Sequence, residues 1–462
     1  MMFNSLKFSI FITVIFILYW AFPDKYKWIF ILLSNISFYL INSPTYLPLL
    51  VIVILVSYYS AKLIKKHKEK KKALLIMSIL ILISILASKS IISIISKRTP
   101  NGYFKGISAP LGLSFYILEA IDYLIDAYRG KPIENHLGYY SCCLSFFPTV
   151  VSGPIEKCES ITKQIKKKKE FNYDQAVYST KKTVWGLFKK NVIADGLAFY
   201  LNPFFESVCD YTGLVLPLAL ILYAIQLYMD FSGYSDMATG IAGLLGFEIT
   251  DNFKSPYFSK SIKEFWTRWH VSLSSWLKNN IYIPLGGNRK GKGRRYTNII
   301  ITFLISGLWH GVSINYLIWG LLHGLYQIVE DIIGNINKQD TLPIRLLKIT
   351  CVFILTCISW SFFRCESFGD AIYVLNIKNM VTNLSVNAAL QALELNAMNL
   401  VKFVFCVFVV TIVDFYAYKS VDIIYNTKKL KTIERWIIYI LFCLLIIYLS
   451  ENGTGEFIYY KF

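Results

Sequence analysis

The sequence predicts an all-α protein: a polytopic membrane helical bundle of about ten to twelve membrane segments, including re-entrant and interfacial helices. Three observations carry this. Hydrophobic residues make up 55% of the 462 positions, above the roughly 45–50% of soluble domains. Aromatic residues reach 16%, as expected where Trp and Tyr line membrane interfaces. The net charge of +19 is gathered into short basic runs between apolar stretches. A uniformly basic surface would suggest a nucleic-acid partner; basic runs of this kind suggest cytoplasmic loops facing anionic lipid, so no nucleic acid is expected.

In chain order, the apolar runs are 8–22, 28–41, 46–60, 74–95, 107–125, 214–231, 298–319, 347–363, 400–418 and 436–450, with weaker runs at 137–151 and 193–205. Lys7 and the apolar run to Phe22 have the outline of a secretory signal. No small-residue cleavage site follows, and a second apolar run begins within a few residues, so a retained first membrane helix is expected. The weaker runs suit re-entrant segments, which a bilayer tolerates when protein covers them. The basic runs "AKLIKKHKEKKKA" (61–73), "KQIKKKKE" (163–170) and "GNRKGKGRR" (287–295) belong in the cytoplasm by the positive-inside rule. Counting back three spans from Ala61 puts the N-terminus outside, and "KKLKTIER" before the last span puts the C-terminus outside as well. The expectation is a multi-pass protein of the cell membrane. There is no internal repeat and no long linker, so 1–462 reads as one integral-membrane domain. The nine cysteines show no C-x-x-C pair and read as small core residues, with neither a disulfide framework nor a metal site expected.

The chemistry is concentrated between Leu227 and Gly324. Five histidines occur in the chain: His67, His136, His270, His310 and His323. His67 lies among lysines and reads as a solvated loop residue; His136 reads as an interfacial loop residue. His310, in "SGLWHG", lies fifteen residues beyond Arg295, a helical rise of about 22 Å that carries it into a hydrocarbon core about 30 Å thick. An ionisable side chain there is costly and suggests function. A neutral imidazole is a competent general base, and Gly307 and Gly311 on either side allow bending or close approach of a ligand. His270 lies in "FWTRWHVSLSSWL", whose spacing predicts one amphipathic helix with an aromatic stripe anchored at the interface. On a continuous helix His323 would face away from His310 and make a structural helix–helix contact. "PLGGNRKGKGRR" suits a phosphate cradle formed by Arg289, Lys290 and Lys292, or a topology signal alone. It lacks Walker spacing, which argues against a nucleotide hydrolase. Asp230 and Asp236 could orient an imidazole or pair structurally.

The runs "PLGLSFYILEAIDYLIDAYRG", "FFPTVVSGPI", "FSGYSDMATG", "SIKEFWTRWHVSLSSWL", "YIPLGGNR" and "SGLWHG" together resemble the membrane-bound O-acyltransferases. The likeness is to the alginate O-acetylase branch, which is related to the teichoic acid D-alanyltransferases; it covers about residues 110–324. The resemblance implies that His310 is catalytic and that His270 is the second functional histidine, at the donor entrance. It also implies an acyltransferase moving an acetyl group from a cytoplasmic thioester, acetyl-CoA, to hydroxyls of a cell-surface or secreted polysaccharide. An extracellular acetyltransferase partner would complete the transfer. Aromatic tails end similar acetylases, so "GEFIYYKF" offers Tyr459, with Tyr460 in reserve, as an acyl relay. No bound cofactor is expected. D-alanyl transfer from a carrier protein to teichoic acid is the second reading. A polysaccharide or lipid transporter with a histidine proton relay is the reading from another class.

The orientation is testable. With native cysteines replaced, Lys70→Cys should react with an impermeant thiol reagent only after the cells are opened, because seven lysines hold residues 61–73 in the cytoplasm. Labelling of intact cells would invert the topology.

Overall fold

The computed structural model describes residues 3–98, 110–334 and 341–450. All regular structure among them is helical. In order the helices are α1 (Leu6–Ala21), α2 (Lys27–Asn42), α3 (Leu47–Lys66), α4 (Lys71–Arg98), α5 (Leu113–Tyr128), α6 (Leu137–Leu144), α7 (Cys158–Lys166), α8 (Tyr173–Leu187), α9 (Asp195–Glu206), α10 (Val215–Leu244), α11 (Ile262–Arg268), α12 (Val271–Leu277), α13 (Gly291–His310), α14 (Ile314–Ile333) and α15 (Leu342–Arg364). Short helices α16 (Phe368–Leu375), α17 (Ile377–Met380) and α18 (Val386–Ala392) lead to α19 (Ala397–Tyr418), α20 (Ile423–Asn426) and α21 (Thr432–Leu449).

Six described helices are long and apolar enough to cross a bilayer: Pro44–Lys66, Lys71–Ser88, Val215–Leu244, Leu342–Arg364, Ala397–Tyr418 and Thr432–Leu449. They divide by burial. Of the most apolar stretch of Val215–Leu244, 72% is buried inside the protein, whereas none of Thr432–Leu449 is. A helix that is apolar all round and uncovered by protein requires lipid around it. The chain is a multi-pass helical membrane protein.

The chain forms two compact units. Among the described residues the first comprises 3–98, 110–183 and 234–251. Within it, α3, α4 and α5 pack on one another, and buried Asn35 is held by hydrogen bonds. Asn35, 1% exposed, donates to the Cys142 carbonyl and to Ser145 Oγ, each at 3.2 Å, and accepts from the Phe147 amide at 3.0 Å. The second unit comprises, among the described residues, 184–233, 252–334 and 341–450 and contains His270, His310 and His323.

The second unit departs from the sequence expectation in one important way. The run 298–319 is not one span. Helix α13 stops at His310, Gly311 is extended (φ 166°), and Ser313 caps α14, which runs back along α13. Four glycines account for the closeness of this hairpin. A Cβ on Gly307 would lie 2.2 Å from the Tyr316 carbonyl oxygen, and one on Gly320 would lie 2.3 Å from that of Phe303. A Cβ on Gly311 would lie 2.6 Å from the Tyr316 ring, and one on Gly324 would lie 2.9 Å from the Ile300 side chain. Both helices therefore present a Gly-x-x-x-Gly edge, the arrangement that lets membrane helices touch at the backbone. At the open end, Arg295 pairs with Asp331 at 2.7 Å.

The weak run 137–151 also resolves differently: only Leu137–Leu144 is helical, and the segment after it turns. The run 193–205 is a π-helical turn (Phe188–Ala194) leading into α9.

Gly320→Val should force the hairpin apart. Overpacking of this kind costs about 1–3 kcal/mol, so the thermal unfolding midpoint in detergent should fall by several degrees. Gly293→Ala, where no atom lies within 4 Å of the new Cβ, should leave it unchanged. Equal midpoints for the two variants would refute the glycine seam.

Candidate functional site

The stretch "FWTRWHVSLSSWL" folds as two helices with a break at His270. Helix α11 ends at Arg268, α12 begins at Val271, and His270 between them takes the left-handed conformation (φ 45°, ψ 55°). This corrects the single amphipathic helix expected from spacing. It also corrects the interfacial role of the tryptophans: Trp266 and Trp269 are buried, because the break turns them inward. A non-glycine residue with positive φ costs on the order of 1–3 kcal/mol and persists only when its surroundings hold it.

Here the holder is Asn252, which is fully buried. Its carbonyl accepts from the Val271 amide at 3.0 Å, and its Oδ1 accepts from the Ser272 amide at 3.0 Å. The Lys254 amide donates to the Arg268 carbonyl at 2.9 Å, tying the two strands of chain together on the other side of the break. Asn252 was not legible as a site residue; an asparagine in "TDNFK" carries no spacing signal. His270 itself is 1% exposed and meets the edge of Phe231 at 4.8 Å.

His310 is the last residue of α13 and is 3% exposed. Its ring lies 5.0 Å from Trp319 and 5.1 Å from Phe363, both near perpendicular, and 6.3 Å from Tyr316. Trp309, its chain neighbour, is also 6.2 Å from the His270 ring. The two imidazoles, from different elements, thus share one indole and lie within electrostatic range of each other. The glycines beside His310 receive Tyr316 of the chain itself, where the sequence had suggested a ligand.

His323 does not face away from His310 as a continuous helix would require. The hairpin returns it to the same side, so that Trp319 touches both rings, with His323 at 5.2 Å. Trp266 Nε1 donates to His323 Nδ1 at 3.3 Å, joining α11 to α14. His67 and His136 belong to the first unit; both are exposed, and His136 caps α6 by accepting from the Tyr139 amide.

The two carboxylates of "DFSGYSD" separate. Asp230 lies in the second unit and pairs with Lys190 at 2.6 Å; Lys190 also holds Asp195 at 2.7 Å, and all three are buried. Gly233 admits this contact, since a Cβ there would lie 2.8 Å from the Gly186 carbonyl oxygen of the π-helical turn's approach. Asp230 is therefore an ion-pair partner of Lys190, a residue the sequence did not single out. Asp236 belongs to the first unit and is half-buried.

Arg289, Lys290 and Lys292 are exposed around the start of α13, after a loop in which Gly286, Gly287 and Gly291 have positive φ. Asn298 Nδ2 donates to the Gly287 carbonyl at 2.9 Å and fastens that loop to the helix. Cations at a helix N-terminus oppose the helix dipole, and an anion bound there would be favoured by both the charges and the free amides. Tyr459 and Tyr460 lie outside the described residues. Among the described residues no cluster of His, Cys, Asp and Glu is arranged to hold a metal ion.

Comparison with known proteins agrees with this core. A protein of Pseudomonas putida, described as a probable alginate O-acetylase, is 40% identical over 265 residues, covering 57% of this chain and 53% of the relative. A peptidoglycan O-acetyltransferase of Helicobacter pylori is 36% identical over 301 residues, covering 59% of this chain and 56% of the relative. A teichoic acid D-alanyltransferase of Streptococcus thermophilus is 29% identical over 234 residues, covering 48% and 56%. The chain spans about half the length of the curated relatives it matches. The sequence model of the MBOAT, membrane-bound O-acyltransferase, family matches residues 135–369, which include His270, His310 and the whole glycine-sealed hairpin; this chain belongs to that family.

Proposed function

We propose that this protein transfers an acyl group, most simply acetyl, from a cytoplasmic thioester such as acetyl-CoA to a hydroxyl destined for a cell-surface polysaccharide. The observation that carries this reading is the convergence of His270 and His310 on Trp309 within the region that matches the family. A thioester carbonyl is already electrophilic, so the acceptor hydroxyl is the group that needs activation. His310 takes its proton as the oxygen attacks the carbonyl; the thiolate leaves and is protonated. General-base assistance of this kind contributes about 10²–10⁴-fold. His270, held in a strained turn, positions the donor. Arg289, Lys290 and Lys292 offer charge to the donor's phosphates. Two routes fit this reading: direct transfer, in which a polymer hydroxyl is the acceptor at His310, and relay, in which the hydroxyl of Tyr459 or Tyr460 is that acceptor and an extracellular partner transferase carries the acetyl group on to the polymer. The relatives described as O-acetylating alginate and peptidoglycan support acetyl as the group moved and a polymer as its destination. D-alanyl transfer is the second reading, supported by the teichoic acid relative.

His310→Ala should lower acetylation of the surface polymer by at least about 100-fold, with normal protein levels and membrane insertion. His270→Ala should act chiefly on donor use. Label from radioactive acetyl-CoA should reach the polymer in the wild type; label that stays on the donor, or near-normal acetylation by His310→Ala, would remove the reading.

Asn252→Ala removes the acceptor that pins the Ser272 amide and should cost about 1–3 kcal/mol of local order. It should reduce transfer at least tenfold while the protein remains in the membrane at normal levels. Asn252→Asp restores the oxygen and should recover part of the loss. Full activity in Asn252→Ala would show that the turn holds itself.

A further inference from the structure

The end of the second unit opposite the basic start of α13 carries a cation, Arg364, with no carboxylate within ion-pair distance among the described residues. Arg364 is the last residue of α15, next to Phe363, which touches His310. It is half-buried, and among the described residues no carboxylate lies within ion-pair distance of it. Its Nη2 donates to Asn202 Oδ1 at 3.0 Å, and its guanidinium lies 4.7 Å over the Phe205 ring. These contacts fix the orientation of the plane without neutralising it. The nearest acids in sequence are otherwise placed: Asp370 accepts from the Ser367 amide in a helix cap, and Glu366 is exposed.

The surroundings of Arg364 hold further unanswered polar groups. Tyr223 is 1% exposed, is in electrostatic reach of Arg364, and has a hydroxyl with no hydrogen-bond partner among the described residues. Asn315 donates to the Cys365 carbonyl at 2.9 Å, but its buried Oδ1 has no partner among the described residues. Tyr316, in contact with both His310 and Phe363, is also in electrostatic reach of Arg364. A half-buried guanidinium without a counter-charge is expensive in an apolar protein, and its planar fork suits a carboxylate or phosphate. Tyr223 packs on the same Phe205 ring as Arg364, at 5.3 Å, and its phenol would add a second donor to the same anion.

We propose that Arg364, oriented by Asn202 and Phe205 and assisted by Tyr223, binds an anionic group, carboxylate or phosphate, carried by the acyl acceptor, and so sets the acceptor hydroxyl against His310. This rests on the acyl-transfer reading above in its direct form, with the polymer hydroxyl as the acceptor at His310. Arg364 is a specificity residue that acts on acceptor recognition; the proton is moved by His310. The lipid phosphates of the bilayer are a second source of the same chemistry, and the test separates them.

The full chain in phosphatidylcholine nanodiscs is titrated, without donor, with two oligosaccharides of equal length, one neutral and one containing uronic acid, and binding is followed by tryptophan fluorescence. The wild type should bind the acidic oligosaccharide at least tenfold more tightly. Arg364→Gln should abolish that preference and leave the neutral affinity unchanged, and Arg364→Lys should retain part of it. In acetyl transfer from acetyl-CoA, the Arg364→Gln loss should fall on KM for the acidic acceptor and spare kcat. Equal affinities in the wild type, an unchanged preference in Arg364→Gln, or an equal loss for both oligosaccharides would overturn the site. If phosphatidylglycerol in the nanodisc erases the wild-type preference, the site belongs to a lipid phosphate and the acceptor assignment is overturned. A binding preference that depends on Arg364, with no transfer to either acceptor, would instead remove the direct form of the acyl-transfer reading and leave the anion site standing.

Discussion

The backbone contact between α13 and α14 underlies the candidate site. Hydrocarbon offers no hydrophobic drive for helices to associate, so close van der Waals contact and satisfied polar groups must hold them. Gly307, Gly311, Gly320 and Gly324 allow that contact, and their positions set what faces what. With the helices this close, Trp319 on α14 lies edge-on against His310 on α13 and, one turn further, against His323. A side chain at any of the first three glycines would separate the helices and move His310 away from its aromatic walls.

A second constraint is the turn that presents His270. Positive φ at a histidine is tolerated more readily than at a β-branched residue, but it still has to be held. The two acceptors of Asn252 do this from a buried position. The same break that sets His270 against Phe231 turns Trp266 and Trp269 inward, where Trp269 meets Trp360 at 5.0 Å and Trp266 binds His323. Strain at one residue is thus offset by aromatic burial and by hydrogen bonds at its neighbours.

Charge is handled differently at two depths of the second unit. Lys190 is enclosed with Asp195 and Asp230, and removing one member of such a buried set costs about 3–5 kcal/mol because it leaves a charge unpaired. That cluster fixes the π-helical turn against α10. Arg364 has an amide oxygen and an aromatic face in place of a carboxylate, which leaves its charge available. The contrast separates a group committed to structure from one suited to a ligand.

Composition and patterning alone determined the fold class: apolar runs separated by basic loops leave a helical membrane bundle as the physical solution, because backbone groups in lipid must pair within their own segment. The six motif runs likewise marked His310 and His270 before any coordinates. Local periodicity could not reveal where a run breaks. The stretch 298–319 is apolar throughout, and the turn at Gly311 follows from the packing of Tyr316 against Gly307, a contact between residues nine apart. Only the tertiary structure paired Asp230 with Lys190, brought Asn252 under His270 and left Arg364 without a carboxylate in ion-pair distance among the described residues. Each of these depends on which side chains meet across separate helices, and no spacing within one segment encodes that.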